Sequence, residues 1–187
     1  NLKNVKEDVE FTKVKDPILG VYLHRGFQKT AMTTYKAIKP HLTKDFPIRI
    51  TGHSLGAAIA FIIEAYLHYD GYRVEKAITF GQPKVTNKEG MEKLNFLPLL
   101  RVINHEDPVP LLAPLTLGSA IHGIYRHFGP ELILEDPPKF IALKNHAAAR
   151  FSVTSFWENL GDIDIENHHI ANYCQSLYDF ITYNSSP

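Results

Sequence analysis

The sequence has little cysteine, no net charge and no long hydrophobic run. Only one of its 187 residues is cysteine, Cys174, so no disulfide can form within the chain. Lysine plus arginine number 20 and aspartate plus glutamate also number 20, which makes the formal net charge zero. Because a neutral chain lacks the basic surplus that polyanion binding requires, we expect no nucleic-acid partner. The longest apolar run, residues 55–63, is too short to span a membrane.

The composition is otherwise that of an ordinary globular domain. Hydrophobic residues make up 44% and charged residues 21%, which excludes a disordered, collagen-like or coiled-coil chain. The length fits a single domain over residues 1–187. The chain starts at Asn1 with neither an initiator methionine nor a hydrophobic leader, and we expect it to be N-terminally incomplete. Secreted and cytoplasmic locations both stay open, and no oligomeric state is predicted.

Strand and helix patterns alternate along the chain. The predicted strands are residues 9–14, 20–23, 48–51, 74–80 and 99–104, and residues 121–134 are predicted to be extended or hairpin structure. The predicted helices are residues 27–39, 55–69 and 169–183. This order predicts an α/β fold with a mostly parallel sheet and helices on both faces.

A glycine-rich turn separates the predicted strand 48–51 from the apolar helix 55–69. Its residues form a G-x-S-x-G pattern: Gly52, His53, Ser54, Leu55 and Gly56. A strand, a sharp turn and a helix in this order are typical of a nucleophile elbow, which presents a strained serine at its tip. We expect Ser54 to be the nucleophile and the N–H of Leu55 to bind a developing oxyanion. Side chains at both glycine positions are expected to collide with their neighbours.

A serine nucleophile needs a base and a carboxylate that orients the base. In this fold class both follow the serine along the chain. Asp107 is the preferred acid, because it follows the predicted strand 99–104 and precedes a loop that prolines stiffen. Glu106 is the alternative. Asp162 and Asp164 belong to the later loop that we expect to bring the base.

Several histidines after Ser54 are candidates for the base. Four of them lie in less suitable places: His105, His122, His127 and His146. His168 and His169 stand where the last predicted helix begins, and the chemistry of the residues does not choose between them. Neither a cysteine cluster nor an H-E-x-x-H motif accompanies this pair, so we predict no metal site here. Hydrolysis by a serine nucleophile implies no metal and no organic cofactor either.

Six segments in a fixed order resemble motifs of the class 3 lipase family, the fungal-type triacylglycerol lipases and their relatives. They are residues 24–27 (H-x-G-F), 48–57 (the serine motif), 79–85 (T-F-G-x-P-[RK]-V), 104–110 (N-x-x-D-P-V-P), 125–131, and 168–173 (H-x-[MI]-x-x-Y). The resemblance implies an α/β-hydrolase fold. It also implies that Asp107 is the acid of a catalytic triad and that His168, rather than His169, is the base.

The sequence departs from the family pattern at its start. The family has further strands upstream that end in an R-G-[ST] segment, which supplies a second oxyanion donor, and then a lid; neither pattern occurs here. Asn1 and Leu2 resemble the residues that follow the lid. We therefore expect a sheet that lacks its first strands and exposes an edge. A smaller departure is Thr86, which stands where the family often has glycine.

The resemblance implies a carboxylic ester hydrolase, a triacylglycerol lipase or esterase that acts on lipid or small esters through an acyl-enzyme. A phospholipase-type acylhydrolase and a catalytically impaired fragment or binding module of the same fold are the alternatives. Association with a membrane or a lipid-droplet surface is left open. The segment after Asp107 carries four leucines that suit either an acyl site or buried core: Leu111, Leu112, Leu115 and Leu117.

Overall fold

A computed structural model describes residues 13–105, 107–111, 125–127, 129–135, 139–143 and 166–184. The strands are β1 (Lys13–Lys15), β2 (Tyr22–His24), β3 (Ile48–His53), β4 (Val74–Phe80), β5 (Leu99–Asn104), β6 (Glu131–Leu134) and β7 (Phe140–Leu143). The helices are α1 (Arg25–Ile38), α2 (Leu55–Tyr69), α3 (Lys88–Leu94) and α4 (Ile170–Asn184). Short 3₁₀ turns cover Lys39–His41, Val109–Leu111 and Glu166–His168.

The main sheet has five strands in the order β3-β4-β5-β6-β7. The first four strands are parallel, and β7 joins β6 in the antiparallel sense. Strands β1 and β2 form a separate antiparallel pair. Among the strands that the structure describes, β3 pairs with β4 alone and so forms one edge of the main sheet. The prediction of a mostly parallel sheet is confirmed.

Helices cover both faces of this sheet. On β4 and β5, Ala77 and Leu99 belong to one apolar cluster, which also contains buried residues of α1 and α2. Their chain neighbours Ile78 and Leu100 pack instead into a second cluster around Tyr173 of α4. Because successive side chains of a strand point to opposite faces, the two clusters lie on opposite sides of the sheet. This alternation places α4 across the sheet from α1 and α2.

Helix α2 is the central helix of the first cluster. Nearly all of its residues from Ala57 to Leu67 are buried, because it packs on β3 and β4 and also against α1. Helix α1 begins after His24, whose Nδ1 accepts a hydrogen bond from the Phe27 N–H at 3.4 Å. The cap explains why α1 starts two residues before its predicted beginning. Pro40 ends it, since proline cannot continue the helical bonding.

Three predicted elements coincide with those found, namely 55–69, 74–80 and 99–104. The predicted strand 48–51 continues for two residues to His53, at the start of the glycine-rich turn. Of the predicted extended region 121–134, residues 131–134 form a strand, and its antiparallel partner β7 was not predicted. Helix α3 was also missed, although the Asn87 side chain caps it by accepting from the Gly90 N–H.

The predicted strand 20–23 is found at residues 22–24, and the remaining differences concern the ends of the chain. Of the predicted strand 9–14, only residues 13 and 14 lie within the described part, where they belong to β1. The last helix begins and ends one residue later than predicted. No helix in the described part of the chain is both long enough and apolar enough to cross a bilayer.

Candidate active site

The turn between β3 and α2 holds Ser54 in a strained backbone conformation. Its φ of 57° and ψ of −127° make it the one residue other than glycine with a positive φ in the part that the structure describes. Such a conformation costs on the order of 1–3 kcal/mol and persists only where surrounding contacts enforce it. Here the Ser54 N–H donates to the Phe80 carbonyl at 3.0 Å, and the Ser54 carbonyl accepts from the Ala57 N–H at 3.0 Å. The serine therefore projects from a sharp strand-to-helix turn.

The two glycines of the turn differ in their steric surroundings. A Cβ on Gly52 would lie 2.4 Å from the carbonyl oxygen of Gly56, so any side chain there would displace the backbone of α2. A Cβ on Gly56 would have no atom within 4 Å. The expected collision is thus found at Gly52, whereas the same expectation for Gly56 was wrong because that position faces open space.

Ser54, His168 and Asp107 lie in a row at the carboxyl edge of the sheet. The Ser54 Oγ is 2.6 Å from Nε2 of His168, and Nδ1 of the same ring is 2.8 Å from Oδ2 of Asp107. A carboxylate can only accept a hydrogen bond, so Nδ1 carries the proton and Nε2 is free to accept from the serine hydroxyl. His169 is exposed and stands outside this row.

The Asp107 carboxylate is completely buried and held from several sides. Its Oδ2 accepts from His168 and also from the Tyr173 hydroxyl of α4. Its Oδ1 accepts from the Val109 N–H at 2.8 Å, while its own N–H donates to the Asn104 carbonyl at 3.0 Å. Burial raises the pKa of the Tyr173 hydroxyl, which therefore stays protonated and acts as a donor. These contacts fix the carboxylate in one orientation toward the imidazole.

Gly81 lies directly beneath the imidazole and the carboxylate. It follows β4 with a φ of +55°, and a Cβ built on it would lie 2.8 Å from both Oδ2 of Asp107 and Cε1 of His168. Neither Gly81 nor Tyr173 was predicted to belong to the site. Each nevertheless occupies a fixed position of a motif, the glycine of T-F-G-x-P and the tyrosine of H-x-[MI]-x-x-Y, and this was the signal available in the sequence.

The predicted oxyanion donor, the N–H of Leu55, stands at the start of α2. Leu55 is the first residue of α2, so its N–H belongs to the turn whose amides have no partner inside the helix. Leu55 is 52% exposed and is adjacent to the serine in the chain. Within the described residues, no three His, Cys, Asp or Glu side chains form a group that could hold a metal ion.

The other histidine candidates do not join the row. His105 is exposed. His127 is buried, and its Nε2 lies 2.6 Å from the carbonyl of Pro110, while burial holds its pKa well below the ordinary value. The remaining candidates lie outside the described residues: Glu106, His122, His146, Asp162 and Asp164. Of the four leucines proposed for an acyl site, Leu111 is described only as the last residue of the Val109–Leu111 turn, and Leu112, Leu115 and Leu117 lie outside the described residues.

Comparison with known proteins assigns the family. The sequence profile described as "Lipase (class 3)" matches residues 1–117. The chain belongs to the class 3 lipase family. The family match and the structural neighbours together establish an α/β-hydrolase fold, which agrees with the mostly parallel sheet.

Three relatives indicate how far the similarity extends. A secreted mono- and diacylglycerol lipase 1 of Fusarium solani is 32% identical over 154 residues, which is 74% of this chain and 42% of that protein. A chloroplastic phospholipase A1-Igamma2 of Arabidopsis thaliana is 35% identical over 114 residues, or 49% of this chain and 21% of that protein. A crystal structure of a lipase from Rhizopus microsporus var. chinensis superimposes with a TM-score of 0.69 at 24% identity, covering 90% of this chain and 60% of that one. The chain thus spans less than two thirds of the length of these relatives.

Proposed function

We propose that the protein hydrolyses carboxylic esters of lipids, as a triacylglycerol lipase or esterase, with Ser54 as nucleophile, His168 as base and Asp107 as the residue that orients the base. One observation carries the proposal. The strained Ser54 places its hydroxyl 2.6 Å from an imidazole whose other nitrogen is bound to a buried carboxylate. Membership of the class 3 lipase family supports the assignment to esters rather than amides.

The proposed reaction has two halves. In the first, the Ser54 Oγ attacks the ester carbonyl carbon while its proton passes to Nε2 of His168, and the Leu55 N–H stabilises the oxyanion. The C–O bond to the alcohol then breaks, and the alcohol leaves with the proton from His168. In the second half, water attacks the acyl-enzyme, gives its proton to His168, and releases the acid as Ser54 recovers its hydrogen. Asp107 stabilises the imidazolium in both halves.

Release of p-nitrophenol from p-nitrophenyl butyrate tests the proposal. We expect measurable hydrolysis by the protein and at least about a 1000-fold fall in kcat for Ser54→Ala, because residues of a triad act as a unit. The matched control is Ser176→Ala on α4, whose hydroxyl binds the Asn172 carbonyl and not the site. Unchanged hydrolysis in Ser54→Ala would exclude Ser54 as the nucleophile.

Covalent labelling separates an active enzyme from an impaired fragment or binding module. A fluorophosphonate probe reacts only with an activated serine, and we expect it to label the protein but not the Ser54→Ala variant. Folded protein that resists labelling would favour the binding-module alternative, and the same samples should be checked by circular dichroism.

A phospholipase-type acylhydrolase is the second candidate, since a relative named as a phospholipase A1 matches about half of the chain. The proposed triad would serve either substrate, because both contain the same ester group. Tributyrin emulsion and phosphatidylcholine vesicles should be compared at equal ester concentration. Hydrolysis of the vesicles without hydrolysis of tributyrin would select the phospholipase.

A further inference from the structure

Two side chains bind the backbone of the turn that carries His168. The Nε2 atom of His53, the last residue of β3, lies 2.7 Å from the His168 carbonyl oxygen. The side-chain amide of Asn104, the last residue of β5, donates to the Asn167 carbonyl at 3.4 Å. Two strand ends thus contact consecutive carbonyls of one short turn.

The His168 carbonyl has no place in the hydrogen bonding of α4. The first carbonyl that accepts hydrogen bonds from the amides of α4 is that of His169. It accepts from the N–H groups of Asn172 at 3.0 Å and Tyr173 at 3.4 Å. The His168 carbonyl lies one residue ahead of this pattern, and His53 supplies its hydrogen bond instead. A part-buried carbonyl that loses such a partner carries a free-energy penalty, so the turn would shift to recover one.

The His53 ring is itself held in place. Its centroid lies 4.7 Å from that of His168, and it forms a T-shaped pair with the Tyr173 ring at a centroid distance of 5.7 Å. Burial lowers the pKa of His53, which favours the neutral ring with one protonated nitrogen. Since a carbonyl oxygen only accepts, that proton lies on Nε2. His53 is therefore a fixed donor rather than a second base.

We propose that His53 and Asn104 are positioning residues that hold the turn at residues 167–168 and so keep the His168 imidazole between Ser54 and Asp107. The inference rests on the proposed role of His168 as base. Neither side chain has a described hydrogen bond to the serine hydroxyl, so both act on the base, through the carbonyls of Asn167 and His168 and, for His53, also through its ring contact with His168. Because the reacting groups must lie within a few tenths of an ångström of their productive positions, a displacement of about 1 Å lowers the rate about 100-fold.

Variants of His53 that separate its donor from its ring test the proposal. His53→Phe keeps an aromatic ring and removes the donor, and we expect kcat to fall about 10-fold to 100-fold with KM within about twofold. His53→Gln restores an N–H donor, and we expect kcat to return to within about fivefold of the original. His41→Phe makes the same change at an exposed histidine on the Lys39–His41 turn and should have no effect on kcat.

Asn104→Leu removes the second contact to the turn, the hydrogen bond to the Asn167 carbonyl. Its longer hydrogen bond predicts a smaller fall in kcat, about threefold to tenfold. Since both side chains hold the same turn, the fold-decrease in kcat of the combined variant should be smaller than the product of the two single fold-decreases. Thermal unfolding of every variant shows whether it still folds. If either the His53 or the Asn104 variant fails to fold, the kcat of the other still tests the positioning role.

The possible failures are distinguishable. Activity that survives in Ser54→Ala overturns the proposed function. An inactive Ser54→Ala together with a His53→Phe variant of normal kcat overturns the positioning role alone. The role is also overturned if His53→Gln is as slow as His53→Phe, since the missing donor would then not be the cause.

Discussion

Replacing Gly81 by alanine tests whether the imidazole and the carboxylate lie as close to β4 as the structure places them. The new Cβ would stand 2.8 Å from Oδ2 of Asp107 and 2.8 Å from Cε1 of His168, closer than side-chain carbons approach such atoms in folded proteins. One or both groups must therefore move by about half an ångström. The positive φ of +55° adds backbone strain of on the order of 1–3 kcal/mol for a residue with a Cβ.

The two effects predict separate measurements. From the cost of about 100-fold for a displacement of 1 Å, a shift of half that size predicts a fall in kcat of about 10-fold, and a larger fall if both groups move. The strain predicts a loss of about 1–3 kcal/mol in the free energy of unfolding. Hydrolysis of p-nitrophenyl butyrate gives the first quantity and urea unfolding gives the second.

Gly71→Ala is the matched control for Gly81→Ala. Gly71 also has a positive φ, +76°, but a Cβ there would meet only the flexible end of Lys44 at 3.4 Å. We expect this variant to lose a similar amount of stability while keeping its kcat. If Gly81→Ala kept its kcat as Gly71→Ala does, the close approach of Asp107 and His168 to Gly81 would be refuted.

Three further predictions concern buried polar groups. Tyr173→Phe removes a donor to the Asp107 carboxylate, and we expect about a tenfold fall in kcat and about 1–3 kcal/mol less stability, measured by steady-state kinetics and urea unfolding. Burial raises the pKa of Glu64 to about 8, so between pH of about 4.5 and 8 the folded state holds one proton more than the unfolded state. The free energy of unfolding therefore falls as pH rises through this range, by up to about 1.4 kcal/mol per pH unit. Glu64→Gln should flatten this slope in thermal melts. Arg101→Met leaves Glu131 as an unpaired buried charge and should cost about 3–5 kcal/mol in urea unfolding, whereas adding Glu131→Leu should recover most of the loss.

The sequence predicted the parts of the fold that depend on short-range pattern. The apolar runs at 55–69, 74–80 and 99–104 gave correct helix and strand limits, because each is bounded by residues that end regular structure. The elements that it missed are α3 and β7. Helix α3 is a single short helix fixed by its Asn87 cap, and β7 is defined only by its pairing with β6.

The residues of the candidate site differ in how directly the sequence pointed to them. Ser54 follows from a local motif, because strand, turn and helix are consecutive in the chain and their geometry is set there. His168 and His169 were equal on chemistry alone, and only the family resemblance separated them. The glycine argument succeeded at Gly52, which contacts its own turn, and failed at Gly56, where the steric outcome depends on what lies across from the helix.

The sequence by itself predicted the α/β class and the strained serine turn, since these follow from neighbours along the chain, whereas the choice of acid and base needed the resemblance to a family. Tertiary structure brought the His168 imidazole to Ser54, as the resemblance implied, and it alone decided that Tyr173 and Val109 hold the carboxylate of Asp107 and that His53 binds the turn of His168. Except for the Val109 bond, these contacts join residues far apart in the sequence. They form because parallel strands bring their carboxyl ends to one edge of the sheet, and strand register with the placement of α4 sets which side chains meet there.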